Sequence, residues 1–168
     1  MLPDGVTHPH AVVLHSFYEA FQRRDHRAMA ACYTSDAEFH DPVFTHLSGW
    51  RVPAMWRMLC ERATDFRLEV DNIRASAEVG AAHWEAWYTF SQTGRCVHNR
   101  VEASFVFQDG KIRRHTDVFD LYAWTRQALG LKGLLLGWTP PVQRAIRTQA
   151  ARALNAFFER HGLAADPS

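Results

Sequence analysis

An α+β fold, with helices first and an antiparallel meander after them, is predicted by three features of the 168-residue sequence. Apolar residues recur at helical spacing from Pro9 to Cys60, and from Phe66 to Phe119 the period changes to two. Two tight-turn sequences, Gln92-Thr93-Gly94-Arg95 and Gln108-Asp109-Gly110-Lys111, separate the alternating runs. Composition agrees with one globular domain. At 47% hydrophobic and 22% charged residues, with 9 Gly and 7 Pro, the chain is neither disordered nor collagen-like.

The N-terminal elements follow from local signals. Val12, Val13, Phe17, Ala20 and Phe21 give an amphipathic helix from Pro9 to Phe21 one buried face. Asp25 is a suitable N-cap for a shorter helix bearing Met29, Ala30 and Tyr33. Ala37 to Val43 reads as a short strand closed by Pro42, which cannot donate to a ladder. A third helix after Gly49 carries Trp50, Met55, Trp56, Leu59 and Cys60.

In the second half, Phe66, Leu68 and Val70 alternate with polar residues. Trp84, Ala86, Tyr88 and Phe90 then share one face of a strand, and His83, Glu85, Trp87 and Thr89 the other. Asn99, Val101, Ala103 and Phe105 continue the inner face after the first turn, and His115, Asp117 and Phe119 after the second. Asp120 caps a helix that Gly130 stops. A Gly- and Leu-rich connector, Leu131 to Trp138, leads through Pro140-Pro141 to a last helix ending near Arg160. Its apolar positions are Val142, Ile146, Ala150, Leu154, Phe157 and Phe158.

Several function classes are disfavoured. Lys+Arg 19 against Asp+Glu 18 leaves a formal charge of +1, which sets up no field for nucleic acid or an anionic membrane. No apolar run approaches the ~20 residues of a bilayer span. Met1-Leu2-Pro3-Asp4-Gly5 lacks the parts of a secretory leader, so a cytoplasmic location is expected. Cys32, Cys60 and Cys96 are widely spaced and read as buried, reduced thiols. No HExxH or comparable spacing supports a metal, and no glycine-rich loop a phosphate cofactor, so neither metal nor cofactor is expected.

The order of elements and the run Cys32-Tyr33-Thr34-Ser35-Asp36-Ala37-Glu38-Phe39-His40-Asp41-Pro42-Val43 resemble the nuclear transport factor 2 (NTF2)-like superfamily. The Y-x-x-D-A-x-x-x-D-P pattern from Tyr33 to Pro42 is similar to its SnoaL-like and ketosteroid isomerase-like branches. The resemblance covers roughly residues 9–130. It implies a cone-shaped fold in residues 1–130, a strongly curved antiparallel sheet wrapped around the N-terminal helices and enclosing an apolar pocket, in a homodimer. Residues 131–168 then form a connector and an extra C-terminal amphipathic helix, packed on the domain or on a partner subunit. The connector is a candidate lid over the open end of the cone.

The resemblance assigns Asp41 the place of the general base in ketosteroid isomerases. An apolar surround disfavours the charged carboxylate and suits it to proton transfer. As a plain strand-end residue, Asp41 would instead bond a backbone N–H beside Pro42. The isomerase oxyanion donors map to Phe17 and Ala103, which cannot donate, so steroid isomerase activity is not expected. Tyr33 matches a supporting tyrosine, and Tyr18 or Tyr88 could supply a replacement phenol. His115 and Asp117, two apart on a strand, face the same way and complete a catalytic set with Asp41. As a bland alternative they form a satisfied polar pair. The candidate ligand contacts are Phe17, Tyr33, Trp56, Trp84, Tyr88, Asn99, Val101 and Phe119. Trp87 falls on the convex face, where a second subunit would cover it.

Two functions remain open from sequence. One is an enzyme acting by proton transfer, an isomerase, cyclase or hydrolase, on a small apolar carbonyl or epoxide compound. The other is a non-catalytic small-molecule binding or assembly module.

Overall fold

A computed structural model describes residues 8–163 of the chain. The first helix, α1 (Pro9–Gln22), is followed by α2 (His26–Ala31), β1 (Tyr33–His40), β2 (Leu47–Ser48) and α3 (Arg51–Arg62). Four long strands then run β3 (Arg67–Ala75), β4 (Val79–Phe90), β5 (Arg95–Gln108) and β6 (Lys111–Val118). Three helices follow among the described residues: α4 (Leu121–Leu129), α5 (Leu131–Leu136) and α6 (Pro140–Arg160). All six strands form one sheet in the order β2-β1-β6-β5-β4-β3. The α+β class and the curved sheet over N-terminal helices are therefore as expected.

Several elements differ from the sequence reading. The first strand begins at Tyr33 and stops at His40, so Asp41 and Pro42 lie in the loop that leaves it. That strand pairs parallel with β6, Phe39 opposite His115, because the helices before it return the chain to the far side of the meander. The buried face of α1 is Ala11, Leu14, Phe17, Tyr18, Ala20 and Phe21, while Val12 points to solvent. Helical spacing finds the stripe, but the sheet beneath it sets the phase. Cys60 is buried, yet Cys32 is half-buried and Cys96 exposed.

Breaks in pairing bend the sheet. The β3–β4 register shifts between Asp71 and Arg74, where Asn72 takes a left-handed φ of 53°. A second shift falls between Val106 and Phe107 on β5. Such irregularities kink a strand and increase its twist, which lets one sheet wrap the helices. The turn after β5 uses Asp109 and Gly110 at φ 53° and 76°, the two left-handed positions that a two-residue hairpin requires.

The C-terminal segment is built onto this cone. Asp120 caps α4 by accepting from Ala123 N–H at 3.0 Å. Thr93 Oγ1 donates to Ala128 O, Arg95 Nε to Gln127 O, and Gln127 exchanges two hydrogen bonds with the His98 backbone. Most of the Gly- and Leu-rich connector is helical, as α5. Gly133 and Gly137 let α5 lie against α4: a Cβ on Gly133 would sit 1.9 Å from Thr125 O, and one on Gly137 2.1 Å from Thr125 Oγ1.

Helix α6 crosses back over α3. Leu154, Phe157 and Phe158 are buried, Phe158 stands edge-on to Trp50 at 4.6 Å, and the Arg57 guanidinium lies over the Phe157 ring. On the convex face Trp87 is half-buried within its own chain, between the Arg67 guanidinium at 4.0 Å and the His98 ring at 4.4 Å.

The glycine contact generates a first test. Gly133→Ala should force α5 off α4 and lower stability by about 1–3 kcal/mol, the usual penalty of overpacking. Urea unfolding monitored by circular dichroism should show an earlier midpoint, and a midpoint equal to that of the parent protein would contradict this packing.

Candidate active site

A cavity of about 570 Å³ lies inside the cone. Its deep wall comes from Phe39 on β1, Met55 and Trp56 on α3 and Trp84 on β4. Tyr88, Asn99, Phe119 and Trp124 line its middle, and Arg24, Arg62, Asp65 and Gln92 its rim. Over the cavity runs the first half of α6, through Val142, Ile146, Gln149 and Ala150. Two hydrogen bonds hold that cover, from Arg147 Nε to Pro42 O at 2.9 Å and from Gln149 Nε2 to Gln92 Oε1 at 3.0 Å. The cover is thus α6 and not the Leu-rich connector, of which only Lys132 lines the cavity.

Of the candidate residues, Asp41, Asp117, Trp56, Trp84, Tyr88, Asn99 and Phe119 line the cavity. Phe17, Tyr33, Val101 and His115 do not. Phe17, Val101 and His115 have no exposed surface at all. His115 follows the predicted inward face but sits one step deeper than Asp117. It packs against Phe105 at 4.4 Å, Phe39 at 5.1 Å and Phe17 at 5.6 Å, which fill the narrow end of the cone. Tyr33 lies alongside it for the same reason.

These buried polar groups form a chain behind the cavity wall. Trp56 Nε1 donates to the Tyr33 hydroxyl at 2.9 Å, and that hydroxyl meets His115 Nδ1 at 2.7 Å. His115 Nε2 meets Asp117 Oδ1 at 2.9 Å, and Trp84 Nε1 donates to the same oxygen at 3.4 Å. An indole can only donate and a carboxylate can only accept, so the ends orient the protons between them. His115 Nε2–H thus donates to Asp117, and its Nδ1 accepts from the Tyr33 hydroxyl. His115 therefore touches Asp117 and reaches no space a ligand can occupy. Its contact with the cavity is indirect, through the carboxylate it holds.

Asp41 is the more exposed of the two carboxylates. Its Oδ1 accepts the Val43 N–H at 2.7 Å and the Phe44 N–H at 2.5 Å, and its own N–H donates to Phe44 O. The proline that follows it and this turn fix the side chain at the end of β1, facing the cavity. Burial among apolar walls pushes its pKa up to about 7. The Phe44 and Val43 N–H groups oppose that rise, and the charge of Asp117 adds to it. The capping and the cavity-facing descriptions of Asp41 thus both hold: one oxygen caps, and the carboxyl still lines the pocket.

Tyr88 stands in the same part of the cavity. Its oxygen accepts from Trp124 Nε1 at 2.8 Å, and no acceptor among the described residues takes its own proton. Burial raises its pKa, the Trp124 hydrogen bond opposes this and the charge of Asp41 adds to it, so it is a phenol donor at neutral pH. The Asn99 amide makes no side-chain hydrogen bond among the described residues and also lines the cavity. Trp124 and the α6 residues were not anticipated as site residues. Val142, Ile146 and Ala150 do recur every fourth residue, a stripe that marks a buried face without saying what it covers. Among the described residues, no three His, Cys, Asp or Glu are grouped to hold a metal ion, and no helix is long and apolar enough to cross a membrane.

The Asp41 environment gives a pH test. Its folded pKa lies above the unfolded value, so the folded state binds the extra proton between about pH 4 and pH 7. Stability from this group is full below that window and is lost as pH rises through 7. Asp41→Asn keeps an amide oxygen for the turn and removes the charge. The variant should melt at a higher temperature than the parent at pH 8, and the difference should shrink to near zero at pH 4. Melting curves that differ equally at both pH values would contradict a buried, raised Asp41.

Known proteins share this architecture. An LEH-like epoxide hydrolase from Mycobacterium tuberculosis is 21% identical, with a TM-score of 0.62 over 77% of this chain and 96% of that one. An NTF2-like protein of unknown function from Burkholderia pseudomallei is 19% identical, with a TM-score of 0.63 over 73% and 98%. TerC, crystallised with polyporic acid, is 17% identical, with a TM-score of 0.62 over 73% and 100%. These likenesses establish a common fold. Comparison with curated proteins finds no match. The sequence profile of the SnoaL-like domain matches residues 14–115.

Proposed function

Because the chain belongs to the SnoaL-like domain family, we propose that it is a general acid–base catalyst acting on a small apolar carbonyl compound. The observation that carries this reading is Asp41, a cavity carboxyl whose pKa of about 7 matches neutral pH, beside the uncommitted Tyr88 hydroxyl. A proton-transfer group works best when its pKa lies near the working pH. In the proposed step the Asp41 carboxylate takes a proton from the carbon next to the substrate carbonyl. The C–H electron pair becomes the enolate double bond, and the carbonyl π pair moves onto oxygen. Tyr88 O–H and Asn99 N–H donate to that oxygen, the role that Phe17 and Ala103 cannot fill. Asp41, now a carboxylic acid, returns the proton to the same carbon, which is exchange, or to a conjugated carbon, which completes an isomerisation without redox change.

Other parts of the site support the step. The cavity is walled by aromatic and aliphatic side chains with few polar groups, the composition of a pocket for an apolar ligand. Asp117, held by His115 and Trp84, adds negative charge that raises the Asp41 pKa and so makes its carboxylate a stronger base. The α6 cover keeps water from the enolate. The co-crystallisation of TerC with polyporic acid, at 17% identity, is in keeping with a small-molecule cavity in this fold.

The test is proton exchange. A panel of apolar cyclic ketones and unsaturated ketones is incubated with the protein in D₂O, and loss of the α-hydrogen signal is followed by NMR. Exchange should exceed the buffer rate for at least one compound. Asp41→Asn should then slow it by about 10²–10⁴-fold with little change in ligand affinity. Tyr88→Phe should slow it by about 10–10²-fold, less than a full oxyanion hole because Asn99 remains. Compounds that bind tightly and exchange no faster than in buffer would instead make the protein a container.

A further inference from the structure

The outward side of α5 carries an apolar surface that neither the core nor the cavity uses. Leu131 is 70% exposed, Leu135 and Trp138 61%, and Leu134 and Leu136 just under half. The cause is local. Gly133 and Gly137 take the side facing α4, so the leucines between and beside them turn to solvent. Scattered single leucines are ordinary on protein surfaces, but five large apolar side chains within eight residues mark an interaction site.

Charge around this surface is one-sided. No Asp or Glu occurs between Asp120 and Glu159, while Arg126, Lys132, Arg144, Arg147 and Arg152 all fall there. The near-zero total charge therefore hides a basic C-terminal part on a net acidic remainder. Lys132 lies on α5 itself. The Arg126 guanidinium sits over the Tyr122 ring at 5.0 Å, and the Tyr122 hydroxyl donates to Leu134 O, which puts that cation at the edge of the patch. Both cations are exposed, and neither pairs with a carboxylate among the described residues.

The rim discriminates between occupants. A second copy meeting this patch about a two-fold axis would bring Lys132 and Arg126 against the same cations, with no acid on the segment to answer them. An anionic lipid surface answers both features: leucine and tryptophan side chains enter the headgroup and acyl boundary while lysine and arginine stay with the phosphates. We infer that α5 and Trp138 dock this protein reversibly on anionic lipid membranes. The expectation of no membrane partner rested on total charge and on the lack of a spanning segment, and surface docking requires neither. Lys132 and the neighbouring Leu129 also line the cavity, so docking sets this side of the cavity against the phase in which an apolar ligand dissolves. Docking does not depend on what the cavity catalyses and is tested without any substrate.

The experiment is co-sedimentation of the full chain with vesicles of phosphatidylcholine alone and of phosphatidylcholine mixed with phosphatidylglycerol. Binding is expected to the mixed vesicles at low salt, to weaken at high salt, and to be slight on the neutral vesicles. Leu135→Ser combined with Trp138→Ser, and separately Lys132→Gln combined with Arg126→Gln, should each reduce binding by about tenfold. All four side chains are exposed, so the melting temperature should be unchanged, which separates lost docking from lost folding. Failure to bind the mixed vesicles at low salt would overturn the inference, as would undiminished binding by the Leu135/Trp138 variant. A dimer in sedimentation velocity that this variant converts to monomer would assign the patch to a second copy and overturn it as well.

Discussion

The hydrogen-bonded chain from Trp56 through Tyr33, His115 and Asp117 to Trp84 ties together four elements that have little sequence in common. It joins α3 to β1, β1 to β6, and β6 to β4 at the narrow end of the cone, where ordinary apolar packing fills the rest. Every interior group in that chain has a partner, which a buried polar group needs if it is not to cost stability. The Trp56 indole can only donate and the Asp117 carboxylate only accept, so the hydrogen bonds between them run in one direction. Removing one member would leave a partner unsatisfied, so the geometry of Asp117 depends in part on Tyr33 and His115, which do not line the cavity.

That arrangement divides the labour between the two cavity carboxyls. Asp117 accepts two side-chain N–H groups on one oxygen and is held in place by them. Asp41 has only backbone N–H partners from its own turn, and burial outweighs them, which brings its proton within reach at neutral pH. Two carboxyls in one apolar space thus differ because one is anchored by a core network and the other sits at a strand end. Tyr88 gains its character in the same way. The Trp124 indole occupies its oxygen as acceptor and leaves its proton for the cavity.

The C-terminal helices decide how the cavity meets its surroundings. The long α6 spends its second half on α3 and its first half over the opening, and hydrogen bonds at Pro42 and Gln92 join it to both sides of the mouth. The short α5 between glycines has no room for side chains toward α4, so its leucines face out. The C-terminal helices thereby both close the pocket, through α6, and present five exposed large apolar side chains, on and just after α5.

Much of this was legible in sequence. Alternation assigned inner and outer faces of β4, β5 and β6 correctly, the Asp25 and Asp120 caps stand where they were read, and Asp41 beside Pro42 marked the strand-end carboxyl. Periodicity reports which way a side chain points, however, and not how deep it lies along the cone or what lies opposite. For that reason His115 and Asp117, indistinguishable in pattern, part company in space: one is sealed under Phe17, Phe39 and Phe105, and the other reaches the cavity. The parallel pairing of β1 with β6, the α6 cover, and the donor left free on Tyr88 all arise from contacts between residues far apart in the chain. Local sequence determined most of the elements and the faces of the meander strands, because those follow from backbone geometry within a few residues. Only the tertiary structure decided which polar groups are buried, paired or open to a ligand, because burial and partnership belong to the assembled interior.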